Sequence, residues 1–405
     1  MIVLKVLVYA CIFYLLFPLI SALLATLMHR LKKGKNIASR NDIYFACVVT
    51  SYKDLEIAWP LVRALLKQDY PHYAIYLVAD ACDGQPIQVK AENLKILLPT
   101  RPLNSKVASL HHALTHMEEK VTHIVVFDPD NLVPHHFLSR LAKMHTQGFE
   151  VVQGKRIAKN IDSTFAALDA LGEYYYDYSV RATPFYLGSS STIAGSGMSI
   201  ERSLYKENLA KEMRELEKKG VVVSEDKSLQ LQLVRKGKRI AYAASAIIFD
   251  EKISRSEQIG KQRGRWLNSY FRHCRESLNA FFQGILTMDW NLAFFSVVIL
   301  MPPMIILVAL SSLLFLITLI LAPLLCFFLM GAMILFGLGF ILILLINRTP
   351  GPVLAAIPKI PLFIWGQVSG FMNIRRANRD FMATEHSEKM EIEEVWEKRK
   401  QEFIG

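Results

Sequence analysis

Cysteine is scarce in this sequence, and none of it is spaced for pairing. The five, Cys11, Cys47, Cys82, Cys274 and Cys326, include no C-x-x-C. That spacing excludes a zinc finger and a disulfide framework, and it fits a reducing compartment. Internal repeats and low-complexity tracts are absent, which excludes a solenoid and a disordered tail as the main architecture. No nucleic-acid module is recognisable either, so the formal net charge of +11 does not call for a nucleic-acid partner. Charge itself is missing from two long stretches. Residues 2–28 carry only Lys5, and residues 291–346 carry no charged residue. The first stretch is long enough to cross a bilayer as a helix. It has no small-residue cleavage site before the basic "HRLKKGK", which favours a retained anchor over a signal peptide.

What is present is apolar and unevenly spread: 52% of the 405 residues are hydrophobic. Residues 1–29 are expected to form an N-terminal transmembrane helix. Residues 291–346 have room for two more, turning at "LAPLL" around Pro323. A third stretch, 353–373, holds Lys359 and a proline-rich run, and it spans, re-enters or lies in the interface. Basic residues cluster at 29–35 and in "NIRRANR". The positive-inside rule puts both on the cytoplasmic side. The first helix then runs with its N-terminus outward, and the charged middle and the tail, 374–405, are cytosolic. An integral membrane protein in contact with lipid is the expectation.

Residues 41–254 alternate short apolar runs with helical segments. "IYFACVVT", "AIYLVA", "LKILL" and "HIVVF" read as strands, and "WPLVRALLKQ" and "KVASLHHALTHMEE" as helices. This alternation argues an α/β domain with a mostly parallel, mixed sheet. Ligands of such sheets sit beyond the carboxyl ends of the strands. The polar clusters fall there. The first strand ends in "TSYKD" with Tyr52, the second in "ADACDG" with Asp80 and Asp83, and the fourth in "DPDN" with Asp128 and Asp130. Residues i and i+2 of an extended segment point the same way, so Asp128 and Asp130 are expected to converge. Two such carboxylates repel unless a cation compensates them, and hard oxygen ligands suit Mg²⁺ or Mn²⁺. Lys106, opening a helix after "RPLNS", adds a cation and a helix N-terminus, both suited to phosphate. In "VVVSEDKSLQLQLVRKGKRI", Ser224 reads as an N-cap with Glu225 and Asp226 in the first turn. "SEQIGKQRGRWLNSYFR" sets Gln262, Arg263, Arg265 and Trp266 on a helix in a membrane-interface region, 255–284. A basic juxtamembrane helix accounts for Arg263, but not for a glutamine and a tryptophan.

Taken in order, "VTSYKD", "VADACDG", "LNSK", "DPDN", "AGSGMSI", "SED" and "QRGRW" resemble the membrane-embedded family 2 glycosyltransferases. These are the cellulose, chitin, hyaluronan and poly-N-acetylglucosamine synthases. The likeness covers about residues 41–282 and the flanking apolar helices. It implies a GT-A fold and a nucleotide-sugar donor, usually a UDP-sugar. By that similarity Tyr52, Asp80 and Lys106 lie around base and ribose, and Asp83 is a further substrate-binding candidate. Asp128 approaches the nucleotide, and Asp130 coordinates the metal. Asp226 is the general base, with Glu225 beside it. Gly195, Ser196 and Gly197 line the acceptor path. Gln262 and Arg265 hold the diphosphate, and Trp266 lies near the acceptor sugar. The resemblance also implies a bacterial inner membrane with a cytosolic catalytic domain. Two departures stand out. "ADACDG" has Ala79 where the family often has a second acid, and "SED" has serine where threonine is usual.

The chemistry has its own logic. A sugar hydroxyl needs a base to take its proton, and a departing diphosphate needs positive charge where its negative charge develops. A tryptophan face gives a sugar ring an apolar platform. The expected product is a β-linked polysaccharide grown from UDP-N-acetylglucosamine or a similar UDP-sugar. With so few spans, a homo-oligomer or a small membrane partner is expected to complete a channel. Two alternatives stand beside it: transfer of one sugar to a lipid such as a polyprenyl phosphate, or a non-catalytic scaffold subunit.

Overall fold

The computed structural model describes residues 1–31, 42–219, 225–254, 256–362, 364 and 390–399. Helix α1 (Ile2–Leu31) comes first. Strands β1 (Phe45–Tyr52), β2 (Tyr73–Asp80), β3 (Leu94–Leu97), β4 (His123–Phe127), β5 (Val151–Ala158), β6 (Met198–Glu201) and β7 (Ile240–Asp250) form one seven-stranded sheet. Its order is β3-β2-β1-β4-β6-β5-β7. β6 alone runs antiparallel, against β4 and β5, and the other pairs are parallel. The carboxyl ends of β1, β2, β4, β5 and β7 therefore share one edge, and the chain enters β6 from that same edge. β2 is buried along its whole length, as expected of a parallel strand covered on both faces.

Helices α2 (Trp59–Leu66), α3 (Lys106–Thr115), α4 (Phe137–His145), α5 (Thr164–Tyr176), α6 (Thr183–Tyr186), α7 (Arg202–Lys219) and α8 (Glu225–Arg235) follow the strands. A π-helical turn, Asp177–Ala182, joins α5 to α6. Alternate residues of β1 divide between two cores. Phe45, Cys47 and Val49 pack with Trp59 and Leu61 of α2, whereas Ala46 and Val48 pack with Leu110 and Leu114 of α3. The strands and helices expected from the apolar runs are all present, within a few residues at their ends.

After β7 the chain forms α9 (Ser256–Leu286), α10 (Trp290–Leu300), α11 (Met304–Leu321) and α12 (Pro323–Ile346). The block expected as two spans thus holds two long helices, broken at Ala322 beside Pro323, and a shorter one before them. α10, at 11 residues, rises about 16 Å and falls short of a bilayer. α1, α11 and α12 are long and apolar enough to cross a membrane. They pack through Val8, Cys11, Leu15, Leu307, Leu314 and Leu329, and Gly339 lets α12 press on Leu19 of α1, where a Cβ would come within 3.0 Å. Beyond α12 lie α13 (Gly351–Leu354) and a 3₁₀ turn, Ile357–Lys359. The prolines interrupt a continuous helix here, and most of 365–373 and the "NIRRANR" cluster lie outside the described residues. A final helix, α14 (Ile392–Arg399), returns to the α/β domain through Arg399, which donates to the carbonyl of Ala158 at 2.9 Å.

The three long helices meet the α/β domain at matching ends. Thr26, near the C-terminus of α1, hydrogen-bonds Tyr178 at 2.6 Å, and His29 stacks on Tyr186 at 4.0 Å. The Met304 amide that opens α11 faces Tyr176 at 3.5 Å, and Asn347 after α12 donates to the Tyr174 carbonyl at 2.7 Å. The α/β domain therefore lies at one end of the helix layer, and the N-terminus of α1 at the other.

Candidate active site

The site is stitched from loops on the carboxyl edge of the sheet. Asp80, at the end of β2 and 1% exposed, accepts from the amides of Leu103 (2.7 Å) and Asn104 (2.9 Å). Tyr52, at the end of β1, donates to Oδ1 of Asn104 at 2.8 Å, and the Lys53 amide donates to the Asp80 carbonyl at 2.9 Å. Three non-glycine residues here, Lys53, Ala81 and Asn104, hold positive φ angles of 65°, 54° and 51°. Backbone strain of this kind persists only where neighbouring bonds over-determine it, and it gathers at functional edges. Asp83 stands apart, exposed on the next turn. Among the described residues no hydrogen bond or ion pair brings it to this cluster.

Ser105 caps α3 by accepting from the Ala108 amide. Lys106 follows, and its Nζ donates to Oδ1 of Asp128 at 2.6 Å and to the Gly195 carbonyl at 3.2 Å. Burial opposes its charge, but the carboxylates of Asp128, Glu225 and Asp226 outweigh burial and hold its pKa above the ordinary lysine value. One cation therefore ties the "DPDN" turn to the "AGSG" loop. The two aspartates do not converge as members of a strand. β4 ends at Phe127, and residues 128–131 form a turn closed by the Asn131 amide on the Asp128 carbonyl at 3.2 Å. In a turn the i, i+2 rule for extended chains fails. Asp128 faces Lys106, and Asp130, 5% exposed, lies beside the Glu251 amide, 3.4 Å from Oδ2.

Residues 193–197 approach Asp226, the second residue of α8. Gly195 and Gly197 hold φ of +82° and +64°. A Cβ at Gly195 would sit 3.9 Å from Oδ2 of Asp226, and one at Gly197 would collide with Ile248 at 2.7 Å. Ser196 is fully buried, and its hydroxyl lacks a partner. Burial pushes the carboxyl of Glu225 up, Lys106 opposes this, and Asp226 adds to it. Ser224, expected to cap this helix, lies outside the described residues.

Gln262, Arg265 and Trp266 occur at i, i+3 and i+4 on α9, and so share a face. The carbonyl oxygen of Gln262 is buried and has no hydrogen-bond partner among the described residues. Burial lowers the pKa of Arg265, and among the described residues no carboxylate pairs with it. Trp266 is 46% exposed, with Arg263 over its ring at 4.3 Å. Arg263 itself is ion-paired with Asp169, a structural role that the basic-helix reading did not foresee.

Sequence reasoning missed two sets of residues. Gln153 of β5 accepts from the Ala194 amide (2.9 Å) and donates to the Ser196 carbonyl (3.0 Å), and Gln230 of α8 accepts from the Ile193 amide (3.0 Å). The second set is a buried ion network. Arg156 pairs with Glu173 and Asp250 at 3.2 Å each. Lys252 pairs with the same two at 3.0 and 2.8 Å, and Arg181 with Glu173 at 2.7 Å. Asp177 accepts from Tyr242 (2.8 Å) and Asn347 (3.3 Å). The available signal was polar residues inside "VVQGKRIA", a segment that otherwise reads as buried strand.

Among the described residues no three His, Cys, Asp or Glu side chains gather into a complete metal-ligand set. The buried carboxylate of Asp130, next to Asp128, instead fits a hard cation held by one or two carboxylates and shared with substrate phosphates.

A family model described as glycosyltransferase-like family 2 matches residues 42–269. No curated protein matches the chain. Among solved structures, the mannosyltransferase PcManGT from Pyrobaculum calidifontis, in complex with GDP-Man and Mn²⁺, is similar at 14% identity and a TM-score of 0.53, covering 91% of this chain and 99% of its own. S. aureus TarS 1-349 is similar at 15% identity and a TM-score of 0.42, covering 85% and 94%. The first likeness speaks for the fold alone, and the second is too distant to argue from.

Proposed function

The chain belongs to glycosyltransferase-like family 2 with a GT-A fold, and from that premise we propose that it is an inverting, membrane-anchored transferase building a β-linked polysaccharide from a UDP-sugar. UDP-N-acetylglucosamine is the first donor to try. The observation that carries the reading is the junction at Lys106, where the "DPDN" turn, the "AGSG" loop and the first turn of α8 meet around one half-buried cation.

In this reading Tyr52, Asp80 and the strained loops around them receive the nucleoside. Asp83 is left to contact the donor from the rim. Asp130, with Asp128 beside it, would hold Mg²⁺ or Mn²⁺. When bound, the cation offsets negative charge on the diphosphate. Arg265, a cation with no carboxylate partner among the described residues, faces the same demand, and Gln262 on the same helix face would donate from its side-chain nitrogen. Asp226 takes the proton of the acceptor hydroxyl. The hydroxyl oxygen bonds to the anomeric carbon as the bond to the diphosphate breaks, and UDP leaves with that electron pair. A single displacement inverts the centre, so an α-linked donor gives a β-linkage. Gly195, Ser196 and Gly197 leave room for the acceptor, and Trp266 offers its face to a sugar ring.

A growing polymer cannot leave its hydroxyls unpaired in lipid. Helices are about 10 Å across, so roughly six would be needed to ring a sugar-wide lumen. The three long apolar helices among the described residues fall short, so a homo-oligomer or a small membrane partner would complete the path. The same count favours a second reading, transfer of one sugar to a lipid acceptor such as a polyprenyl phosphate, which needs no lumen. Both place the α/β domain in the cytosol of a bacterial cell, at the inner membrane. Incubating the reconstituted chain with a panel of radiolabelled UDP-sugars and Mg²⁺ or Mn²⁺, then sizing the product, tests them. A long polymer supports the first reading, and a single-sugar lipid overturns it in favour of the second.

A further inference from the structure

We infer that Arg156 is a positioning residue that sets the acceptor loop against the donor turn. The inference rests on the assignment of residues 193–197 to the acceptor and of 128–131 to the donor. Arg156 lies on β5, and its side chain is 12% exposed. One terminal nitrogen donates to the carbonyl of Ala194 at 3.0 Å, at the head of the acceptor loop. The other lies 3.2 Å from Oδ2 of Asp250, and Oδ1 of Asp250 accepts from the Asn131 amide group at 3.3 Å, in the donor turn. It also lies 3.2 Å from Glu173. The path from one loop to the other is thus Ala194, Arg156, Asp250, Asn131, with no solvent-exposed link.

The chemistry favours arginine here. Its planar fork presents fixed donors in several directions, whereas lysine is a point charge on a flexible stem. Lys252 already supplies a point charge to the same two carboxylates. With Arg181 also on Glu173, two cations already face the two carboxylates, but reaching the Ala194 carbonyl while holding Asp250 requires the fork. The acceptor loop has a second tie in Gln153, which holds 194 and 196 but makes no bond to the donor turn. Arg156 thus adds a second side-chain link between the loops, beside the direct one that Lys106 makes from Asp128 to the Gly195 carbonyl.

The test compares Arg156→Lys and Asp250→Ala with the wild type in the full-length protein, purified in detergent. Hydrogen exchange at 193–197 and 128–131 is read beside steady-state kinetics. Arg156→Lys is expected to raise exchange in 193–197. It should lower the rate of transfer by about tenfold to a hundredfold, as misplacement of a reacting group does, and raise the ratio of donor hydrolysis to transfer while donor KM stays near the wild-type value. Asp250→Ala is expected to loosen 128–131 and to raise donor KM instead. Unchanged exchange in 193–197 for Arg156→Lys overturns the inference. So does a loss of activity that tracks the folded fraction with KM values and the hydrolysis ratio unchanged. If Arg156→Lys does not fold, Asp250→Ala decides, and exchange in 128–131 at the wild-type level overturns the link. The exchange readout needs no turnover, so a failure of the polysaccharide reading is seen separately, as a wild-type chain inactive on every UDP-sugar.

Discussion

Two groups of charge lie on one edge of the sheet, and they are built in opposite ways. The network around Glu173 is closed. Arg156, Arg181 and Lys252 surround Glu173 and Asp250, so each charge meets a counter-charge of the protein, although Nε of Arg156 and of Arg181 has no hydrogen-bond partner among the described residues. The group around Lys106 is open. It sets one lysine against Asp128, Glu225 and Asp226, and Arg265 on α9 pairs with no carboxylate among the described residues. A closed network holds backbone in place, because each buried charge is answered. An open one leaves charge to be answered by a ligand: excess carboxylate by a metal ion, and an unpaired guanidinium by a phosphate. The difference separates scaffold from chemistry among side chains of the same type.

The largest expected effect is at the open group. Asp130→Ala should abolish sugar transfer and the metal dependence of UDP binding, while the protein still inserts in membranes, as checked by titration calorimetry with and without Mn²⁺. Metal-dependent turnover in that variant would break the contrast at its centre. Next comes Asp226→Asn, expected to cost about 10²-fold or more in transfer, in the range of general-base contributions, with UDP affinity retained. Glu225→Gln should cost less than Asp226→Asn in the same assay. Loss of UDP binding on changing Asp226 would move that residue from base to donor site.

The closed group should answer in stability rather than rate. Glu173→Gln leaves Arg156, Arg181 and Lys252 under-compensated, and removing one partner of a buried ion pair typically costs about 3–5 kcal/mol, measurable as a lowered unfolding midpoint. Its pH dependence has a definite sign. Burial pushes the Glu173 carboxyl up, but Arg156, Lys252 and Arg181 outweigh burial and hold it well below the ordinary value. A depressed folded-state pKa stabilises the fold above the unfolded value and loses that contribution as pH falls toward the folded one. Acid should therefore destabilise the wild type more than Glu173→Gln below about pH 4.3, the ordinary glutamate value. The smallest effect sharpens the contrast from outside it. The Lys67–Glu393 pair is more than half exposed on both sides, and exposed pairs contribute little, so Lys67→Ala should leave both midpoint and activity unchanged within error.

Much of this site was legible in the sequence, for a physical reason. Strand ends in a parallel sheet must carry polar turns, so "TSYKD", "ADACDG" and "DPDN" declared which edge of the sheet is polar. Lys106 was visible as a helix-opening cation, but its grip on Asp128 was not. The convergence of Asp128 and Asp130 was argued from strand geometry, and the turn at 128–131 overrides it. Gln153 and Arg156 on β5 and Gln230 on α8 gave little sign, because a polar side chain inside a strand or helix looks the same whether it faces water or a backbone group.

Local pattern by itself determined the anchor, the apolar block, the α/β alternation and the order of the motifs. These depend on hydrophobic periodicity and turn residues, which act over a few positions of the chain. Tertiary structure alone decided which charges are answered by the protein and which are left for a ligand. Arg156, Glu173 and Asp250 are far apart in the chain and meet only after β5, α5 and β7 have packed. Whether a buried charge finds its counter-charge depends on that packing, since distance and exclusion of water set the strength of the pair.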